Sequence, residues 1–398
     1  MTVIPMSRLS VARNRIAVPR LDWVLFGAAG LILAIGTLLV WSATSSNELL
    51  THGDSTAYLH KQLVNIMIGL VLATAVMATD HRWVRIVTPL VYVASVIGLV
   101  LVLVMGSTIN GSRSWLMLGG MSIQPAEFAK LAVVIGMAMI IAERIENSRQ
   151  RRVGVVDVAL MGVIAGIPAL LIILQPDLGT MLVLSATVFG VLAVAGVPRR
   201  WLVSLFVIGT TVATMAVMAG LLKQYQINRF MAFTDPGLDP RGAGYNTTQA
   251  RIAIGNGGLF GQGLFDGSQT RSRFVPEQHT DFIFTVAGEE LGLIGAGVLI
   301  LLFAVLLWRA LHISLNADDM FGRVAAAGIG CWFAFQTFQN IGMCLGIMPV
   351  TGVPLPLVSY GGSSMFASMM AIGLLQNIAM RGSTASRAGA PRARLLSR

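Results

Sequence analysis

The chain has 398 residues, of which 55% are hydrophobic and only 12% are charged. A soluble domain usually carries about 25% charged residues, so the composition excludes an ordinary soluble enzyme. The net charge of +10 is interpreted as charge in loops on one side of a membrane, and no nucleic-acid partner is expected. Cys331 and Cys344 lie in one apolar run, which favours small buried side chains over a disulfide or a metal site.

Apolar runs of roughly 20 residues, the length that crosses a bilayer, recur along the whole chain. They predict an all-α, polytopic membrane protein with about ten transmembrane helices. The first five predicted helices cover about 22–43, 62–79, 86–106, 125–143 and 156–174. The sixth ends near 197 and the seventh near 222, the eighth and ninth cover about 282–308 and 324–347, and the tenth ends near 380. The longest polar stretch, residues 223–281, is predicted to form one large extracytoplasmic loop.

The distribution of Lys and Arg predicts which side each loop occupies. An even number of helices places both chain ends on one side, and most basic residues lie in those ends and in the loops on that side. The short loops on the other side hold only Lys61 and Arg113. Because basic loops stay in the cytoplasm, residues 1–21 and 381–398 are predicted to be cytoplasmic tails around a transmembrane domain of residues 22–380.

Ionisable side chains inside a bilayer are costly and are therefore functional candidates. By the predicted topology, Glu127, Lys130, Asp177 and Asp281 all lie toward the outer face. Glu127 and Lys130 are spaced to share a helix face, and Arg113 lies in the loop just before them. They are interpreted either as substrate-binding groups or as a neutralising pair that only eases insertion of the helix.

Asp177 follows Gln175 and Pro176 just before the predicted sixth helix. Aspartate is a strong N-cap because its carboxylate accepts backbone N–H groups of the first turn. The residue is therefore interpreted equally as a helix cap and as a contact to a ligand.

Asp281 is the last residue of the polar stretch, directly before the predicted eighth helix. A helix N-terminus lowers the pKa of an aspartate, whereas burial against Phe282 and Phe284 raises it. The balance of the two effects can poise a general base, and a plain N-cap is the alternative. Glu277 and His279 form a polar cluster with Asp281, which favours a functional site.

The glycine-rich segment 255–263 is interpreted as structural. Phe260 stands where a dinucleotide fingerprint has its third glycine, and the Lys of a P-loop is missing. The segment therefore predicts tight turns that fold the polar stretch onto the membrane. Glu289 and Glu290, about two turns into the predicted eighth helix, are expected to support the site from below, with an ion pair to a cation on another helix as the alternative.

Gln336, Gln339 and Asn340 share one face of the ninth predicted helix. A buried amide is costly unless it is paired. We interpret the three amides as hydrogen-bonding groups between helices, with the lining of a polar cavity as the alternative.

Seven segments in chain order together resemble one bacterial family. They are 111–115 (GSRSW), 124–130 (QPAEFAK), 175–180 (QPDLGT), 253–261 (AIGNGGLFG), 276–284 (PEQHTDFIF), 288–292 (GEELG) and 359–364 (SYGGSS). In order and in position between helices, they are similar to the SEDS family (shape, elongation, division and sporulation), over about 20–380. Residues 352–357 (GVPLPL) look more like the RodA-type members that act in elongation.

The chain also departs from the family pattern. Many relatives carry a basic residue where Ser122 stands, and many carry serine in place of Ala126. Arg113 or Lys130 would therefore have to supply any phosphate contact in this region.

The resemblance implies a peptidoglycan glycosyltransferase of the bacterial cytoplasmic membrane that adds lipid II to a growing glycan strand. It implies a class B penicillin-binding protein as the crosslinking partner, and Asp281 as the essential aspartate, which we expect to act as general base. The expected substrate-binding residues are Arg113, Glu127, Lys130, Asp177, Glu277 and His279. No protein metal site is expected, and a divalent cation is an alternative means of neutralising the diphosphate. Two other functions stay open: a lipid II flippase and a non-catalytic scaffold of the elongation or division machinery.

Overall fold

The structure is a computed structural model that describes residues 21–388, with gaps at 52, 110–111, 119–120, 148–152, 221–223, 236, 238 and 240–241. Residues 1–20 and 389–398, which hold most of the two expected tails, lie outside the described residues. The last helix continues to Ala388 and so extends past the expected start of the second tail at 381.

The described chain forms fifteen α-helices and three short β-strands. The helices are α1 (Trp23–Ser45), α2 (Glu48–Thr51), α3 (Ala57–Ala78), α4 (His81–Met105), α5 (Pro125–Asn147), α6 (Val155–Leu174), α7 (Leu178–Val194), α8 (Arg199–Met218), α9 (Gln224–Thr234), α10 (Ala243–Asn256), α11 (Ser268–Ser272), α12 (Ile283–Glu290), α13 (Gly292–Leu315), α14 (Met320–Leu345) and α15 (Gly362–Ala388). The strands are β1 (Ser107–Ile109), β2 (Ser112–Leu118) and β3 (Met121–Ile123).

In the described part of the chain, eight helices are long and apolar enough to cross a membrane: α1, α3, α4, α5, α6, α8, α13 and α15. Helix α7 is apolar but shorter, with 17 residues. Helix α14 has 26 residues and carries several buried amides among its apolar side chains. These helices follow the predicted spans in order, and the prediction of a polytopic, all-α membrane protein is confirmed.

The predicted eighth helix is wrong at its start. Residues Ile283–Glu290 form the separate short helix α12, and the membrane-length helix α13 begins only at Gly292. Gly292 has a φ of +67°, a left-handed backbone that glycine adopts without steric cost. The glycine-rich segment packs so closely here that a Cβ on Gly292 would lie 2.2 Å from the backbone nitrogen of Gly261.

Two stretches that were expected to be loops are folded. The connection between α4 and α5 forms a small antiparallel sheet with the order β1-β2-β3, in which Leu116 pairs with Ile123. The large polar stretch contains α9, α10 and α11. It is therefore a compact cover over one end of the bundle rather than an open loop.

Three aspartates at the opposite end of the bundle combine two roles. Asp22, Asp80 and Asp319 each accept a backbone N–H from the first turn of the helix that follows, which caps that helix. Each also pairs with an arginine of another helix; the pairs are Asp22–Arg309, Asp80–Arg381 and Asp319–Arg85. These contacts tie neighbouring helices together at the end away from Asp281.

Helix α14 lies at the centre of the bundle and packs against α5, α7 and α13. Its Trp332 side chain is fully buried. Gly328 permits the close approach, because a Cβ there would lie 2.7 Å from Val134 of α5 and 2.8 Å from Val191 of α7. Small residues commonly allow such contacts between membrane helices. This packing fixes the position of the amides further along α14.

Candidate active site

Asp281 lies in a tight turn between α11 and α12. The carbonyl of Glu277 accepts the backbone N–H groups of Asp281 at 3.1 Å and Phe282 at 3.2 Å, which holds the turn closed. Phe282, not Asp281, occupies the N-cap position of α12, and it makes no side-chain capping bond. Asp281 is half-buried, and its carboxylate is not used as a cap of the following helix.

The segment between α14 and α15 packs directly against this carboxylate. Gly352 has a φ of +71°, and a Cβ at this position would lie 3.1 Å from Oδ2 of Asp281. Any other residue would combine a strained backbone with a crowded carboxylate. Glycine at 352 therefore gives the Asp281 carboxylate the space that it occupies.

Three amides of α14 hold that segment in place. The expected hydrogen bond between helices forms at Gln336, whose Oε1 accepts from Lys130 of α5, while the amide donors go to the segment. Gln336 donates to the Pro354 carbonyl at 2.8 Å, Gln339 to the Pro349 carbonyl at 3.0 Å and the Thr351 hydroxyl at 3.1 Å, and Asn340 to the Val353 carbonyl at 2.7 Å. Asn340 donates also to the Asp281 carbonyl at 2.7 Å. One fully buried amide thus joins the Asp281 turn to the Gly352 segment.

The electrostatic surroundings of Asp281 are mostly unfavourable to its charge. Burial raises the pKa of Asp281 to about 7, and the negative charges of Glu277 and Asp177 also raise it, while Arg229 acts in the opposite direction. The Arg229 guanidinium lies near this segment, 3.5 Å from the Thr351 carbonyl. A carboxylate with a pKa near neutrality exchanges a proton readily at physiological pH, as a general base must.

The pKa of Asp281 predicts a pH dependence. A general base works only when deprotonated, so we expect the rate of the reaction to fall about tenfold per pH unit below pH 7 and to level off above it. Because the charge of Glu277 contributes to the raised pKa, Glu277→Gln is expected to move the midpoint to lower pH. The measurement is the initial rate from pH 5 to pH 9 for both proteins. An unchanged midpoint in Glu277→Gln would contradict the assignment of this midpoint to Asp281.

Asp177 is the N-cap of α7, as one of its two interpretations predicts. Its carboxylate accepts the Thr180 backbone N–H at 3.0 Å and the Thr180 hydroxyl at 2.8 Å. It also accepts the Gln124 side-chain amide at 3.0 Å, which joins α7 to the start of α5. Because its charge also raises the pKa of Asp281, Asp177 lies close enough to act on the candidate site as well.

Glu127 and Lys130 form a buried ion pair inside the bundle. The Lys130 ammonium donates to Glu127 at 2.8 Å and to Oε1 of Gln336 at 2.8 Å, and it lies 5.0 Å from the centre of the Trp332 ring. The side chain of Lys130 has no exposed surface. In this arrangement Lys130 therefore cannot make the direct contact with a substrate diphosphate that was expected from the sequence. Through Gln336, the pair instead supports the segment that covers Asp281.

Arg113 does not join Glu127 and Lys130, contrary to the expectation. Its exposed guanidinium donates to the carbonyls of Gly106 and Val104, both at 2.8 Å. The last carbonyls of a helix lack hydrogen-bond donors within the helix. At the end of α4, the Arg113 guanidinium provides these donors. In the described part of the chain, no contact connects Arg113 with Asp281.

Glu277 and His279 lie beside Asp281, as expected. Glu277 is exposed and has a φ of +52°. His279 is half-buried, and burial lowers its pKa while Glu277 opposes that change. The His279 ring contacts two tyrosine rings, Tyr58 at 5.3 Å and Tyr360 at 5.8 Å between ring centres. Sequence reasoning missed the two tyrosines because they come from distant segments.

Glu289 and Glu290 fold the polar stretch instead of lining the site. The Glu289 carboxylate accepts the backbone N–H groups of Gln269 at 2.7 Å and Thr270 at 2.9 Å. Glu290 accepts the hydroxyl of Ser42 in α1 at 2.6 Å. The glycine-rich segment packs on the same place, since a Cβ on Gly257 would lie 1.9 Å from the Gly288 carbonyl. The prediction of tight turns in this segment agrees with this packing.

Metal-binding clusters were not expected from the sequence. Within the described ranges, no group of three or more His, Cys, Asp or Glu side chains is arranged to hold a metal ion. A divalent cation held jointly with a substrate diphosphate stays a prediction.

Together these features define a class of protein: a polytopic helical membrane protein with a poised carboxylate under a folded cover at one end of the bundle. Residues 22–384 match the FtsW/RodA/SpoVE family, which is described as "Cell cycle protein". The chain therefore belongs to this family, the SEDS family that its motifs resemble.

Similar proteins come from several branches of the family. The chain is 39% identical over 352 residues to stage V sporulation protein E of Bacillus subtilis, covering 87% of this chain and 94% of the relative. It is 37% identical to the peptidoglycan glycosyltransferase MrdB of Escherichia coli K12, covering 87% of this chain and 90% of the relative.

Two solved structures share the fold. A chain of a peptidoglycan synthase complex, studied for the coordination of polymerization and crosslinking, matches with a TM-score of 0.74 at 33% identity, over 91% of this chain and 98% of that chain. The rod-shape-determining protein RodA of Thermus thermophilus matches with a TM-score of 0.65 at 31% identity, over 92% and 98% of the two chains.

Proposed function

We propose that this protein is a peptidoglycan glycosyltransferase that polymerises lipid II into glycan strands, with Asp281 as the general base. One observation carries the proposal: a half-buried carboxylate whose pKa is raised to about 7 lies against the Gly352 segment, and the buried Asn340 amide joins the two. Membership of the family, and curated relatives named as peptidoglycan glycosyltransferases, support the substrate class.

The proposed reaction requires Asp281 to accept one proton. A hydroxyl oxygen of the acceptor sugar forms a bond to the anomeric carbon of the donor, and the bond from that carbon to the lipid diphosphate breaks. The hydroxyl proton passes to the Asp281 carboxylate, and the diphosphate leaves with the electron pair. A positioned general base contributes roughly 10²–10⁴-fold to such a step. The diphosphate gathers negative charge as it leaves, so a fixed cation near it would stabilise the transition state.

The geometry makes Arg229 a candidate for this cation in place of Lys130. Arg229 acts electrostatically on Asp281 and lies on α9 in the polar cover, whereas Lys130 is fully buried. Asp177, Glu277 and His279 are proposed to contact the sugars or their substituents around Asp281. Arg113, Glu127 and Lys130 are proposed to act indirectly, by holding helix ends and the Gly352 segment.

We also propose the setting of the reaction. The family and the distribution of basic residues support a cytoplasmic-membrane protein with both chain ends in the cytoplasm and Asp281 outside. A class B penicillin-binding protein is the proposed partner, supported by the similarity to a chain of a complex that coordinates polymerization and crosslinking. A role in elongation is supported by residues 352–357 alone.

The direct test uses the purified protein with its cognate transpeptidase and lipid II, with glycan products separated on a gel. We expect long glycan products that still form when the transpeptidase is inhibited but do not form without this protein. An absence of polymer under conditions in which a related polymerase is active would refute the proposed function.

A lipid II flippase is the rival from a different class. It needs a polar path through the full depth of the membrane, whereas Asp281, Glu277 and Asp177 gather at one end of the bundle. In reconstituted vesicles, flipping that depends on Asp281 while polymerisation does not would favour the flippase. A protein that neither polymerises nor flips lipid II, and whose Asp281→Asn variant still supports cell growth, would favour a scaffold.

A further inference from the structure

Three half-buried aromatic rings meet next to the Asp281 turn, and each comes from a different part of the chain. Tyr58 lies in the first turn of α3, His279 precedes Asp281, and Tyr360 precedes α15. The ring centres of Tyr58 and Tyr360 lie 4.9 Å apart, and both rings contact His279. The backbone N–H of Tyr360 donates to the His279 carbonyl at 2.9 Å, so the cluster is fixed to the turn that carries Asp281.

The polar groups of this cluster have no hydrogen-bond partner in the described part of the protein. Within the residues that the structure describes, the hydroxyls of Tyr58 and Tyr360 and the imidazole of His279 make no hydrogen bond. None of these polar atoms is sealed from solvent, so each is open to a ligand in place of water. The free donors and acceptors therefore point to a ligand that offers several hydrogen-bonding groups at once.

The charged groups around His279 and Asp281 indicate which kind of ligand the cluster binds. Glu277 raises the pKa of Asp281, as does Asp177, and Glu277 also acts electrostatically on His279. Beside His279, the Glu277 carboxylate would repel a diphosphate, and the nearby cations Arg229 and Lys61 would be needed to offset that repulsion. A neutral molecule with hydroxyl groups and an apolar face meets no such cost.

We propose that Tyr58, His279 and Tyr360 form a subsite for a neutral sugar ring of the glycan, next to the sugar whose hydroxyl Asp281 deprotonates. The C–H face of a pyranose packs on an aromatic ring, and its hydroxyl or acetamido groups exchange hydrogen bonds with the tyrosine hydroxyls and the imidazole. The lysine Lys61, whose ammonium lies 4.8 Å from the centre of the Tyr58 ring, braces that ring from the side of α3. The ligand is an N-acetylhexosamine unit, and this inference rests on the proposed function.

The sugar ring has two sources, the growing strand and the lipid-linked disaccharide. Both are tested by equilibrium binding in the Asp281→Asn background, so that no product forms during the measurement. The first probe is a lipid-free glycan tetrasaccharide, and the second is fluorescent lipid II in detergent. Weakening confined to the first probe assigns the subsite to the strand, and weakening confined to the second assigns it to the lipid-linked substrate.

We expect Tyr58→Ala and Tyr360→Ala each to weaken the binding of at least one probe by about tenfold or more, since stacking on an aromatic ring is lost. Tyr58→Phe and Tyr360→Phe keep the rings and the packing, and are expected to weaken binding by a few-fold through the lost hydroxyl. Tyr245→Ala, which removes a half-buried tyrosine elsewhere in the cover, is the matched control and should bind as its parent does. A thermal melt of each variant shows that the fold is retained.

Unchanged affinity for both probes in the Phe variants and in the folded Ala variants would overturn the subsite. The proposed function fails separately. If the protein makes no polymer but binds the tetrasaccharide in a way that needs Tyr58 and Tyr360, the glycosyltransferase proposal falls and the sugar subsite stands. If it polymerises normally and the tyrosine variants bind like the parent, the subsite falls and the function stands.

Discussion

Asp281→Asn is expected to abolish polymerisation of lipid II while the protein keeps its fold. The amide has almost the same shape as the carboxylate but cannot accept the acceptor proton. A loss of roughly 10²–10⁴-fold in rate is the expected size for a missing general base. The measurement is the initial rate of glycan formation with the partner transpeptidase present.

The fold of this variant should be intact because the structural contact of Asp281 uses its backbone. Asn340 donates to the Asp281 carbonyl, and that carbonyl is unchanged in Asp281→Asn. The pKa of Asp281 is raised in the folded protein, so its contribution to stability falls as the pH rises from the ordinary pKa of the group toward 7. At pH 8 the neutral asparagine removes this cost, and the melting temperature should be equal to or above that of the unaltered protein.

Asp266→Asn is the matched control, since it makes the same change within the same polar cover. Asp266 is exposed and pairs with Arg271 at 3.6 Å, where both side chains are more than 60% exposed. Such surface pairs contribute little to stability, and the control should keep nearly full activity. Substantial polymerisation by a well-folded Asp281→Asn protein would rule out Asp281 as the base.

The order of helices could be predicted from the sequence because the bilayer imposes one length on every apolar span. The position of Asp281 beside Glu277 and His279 could also be predicted, since the three lie within five residues of each other. What failed was the assumption that the apolar run after Asp281 is one helix. The break at Gly292 depends on close packing with Gly261, a tertiary contact that hydropathy does not record.

The partners of Asp281 from distant segments could not be predicted for a related reason. Asn340 and Gly352 meet Asp281 only through the packing of α14 and the segment after it. The sequence did show a face of buried amides on α14, but not whether their donors would reach a helix or a loop. Likewise, the direction of Arg113 depends on the free carbonyls at the end of α4, which a prediction of helix ends does not locate well enough.

The contacts of Asp281 with Gly352 and Asn340 explain how its carboxylate is both buried and accessible. The carboxylate needs burial to raise its pKa, yet it also needs room and access for a sugar hydroxyl. Gly352 gives it the room, and the amides of α14 hold the segment around Gly352 in place. Gln336 also connects the site to the buried pair of Glu127 and Lys130. A change at this pair is therefore expected to move the segment that packs against Asp281.

Lys130→Met is expected to be among the most destabilising single changes in the bundle. It would leave the Glu127 carboxylate buried without its cation, and one oxygen of Glu127 already lacks a hydrogen-bond partner in the structure. Removing one member of a buried ion pair costs about 3–5 kcal/mol. The expected result is a large fall in melting temperature in detergent and a low yield of folded protein.

The double variant Glu127→Gln/Lys130→Met should recover most of that stability, because no buried charge remains unpaired. Replacing both members of a buried pair is often neutral or even stabilising. Failure of the second substitution to restore the melting temperature would show that the loss does not arise from the uncompensated charge of Glu127.

The activity of the restored protein then separates two roles for Lys130. In the structure the ammonium holds Gln336, which in turn holds Pro354 in the segment over Asp281. A residue that acts through this segment should, when removed, lower kcat about tenfold or more at an unchanged KM for lipid II. A raised KM with kcat retained would instead mean that Lys130 becomes accessible and binds the diphosphate directly, as its place in the sequence first indicated.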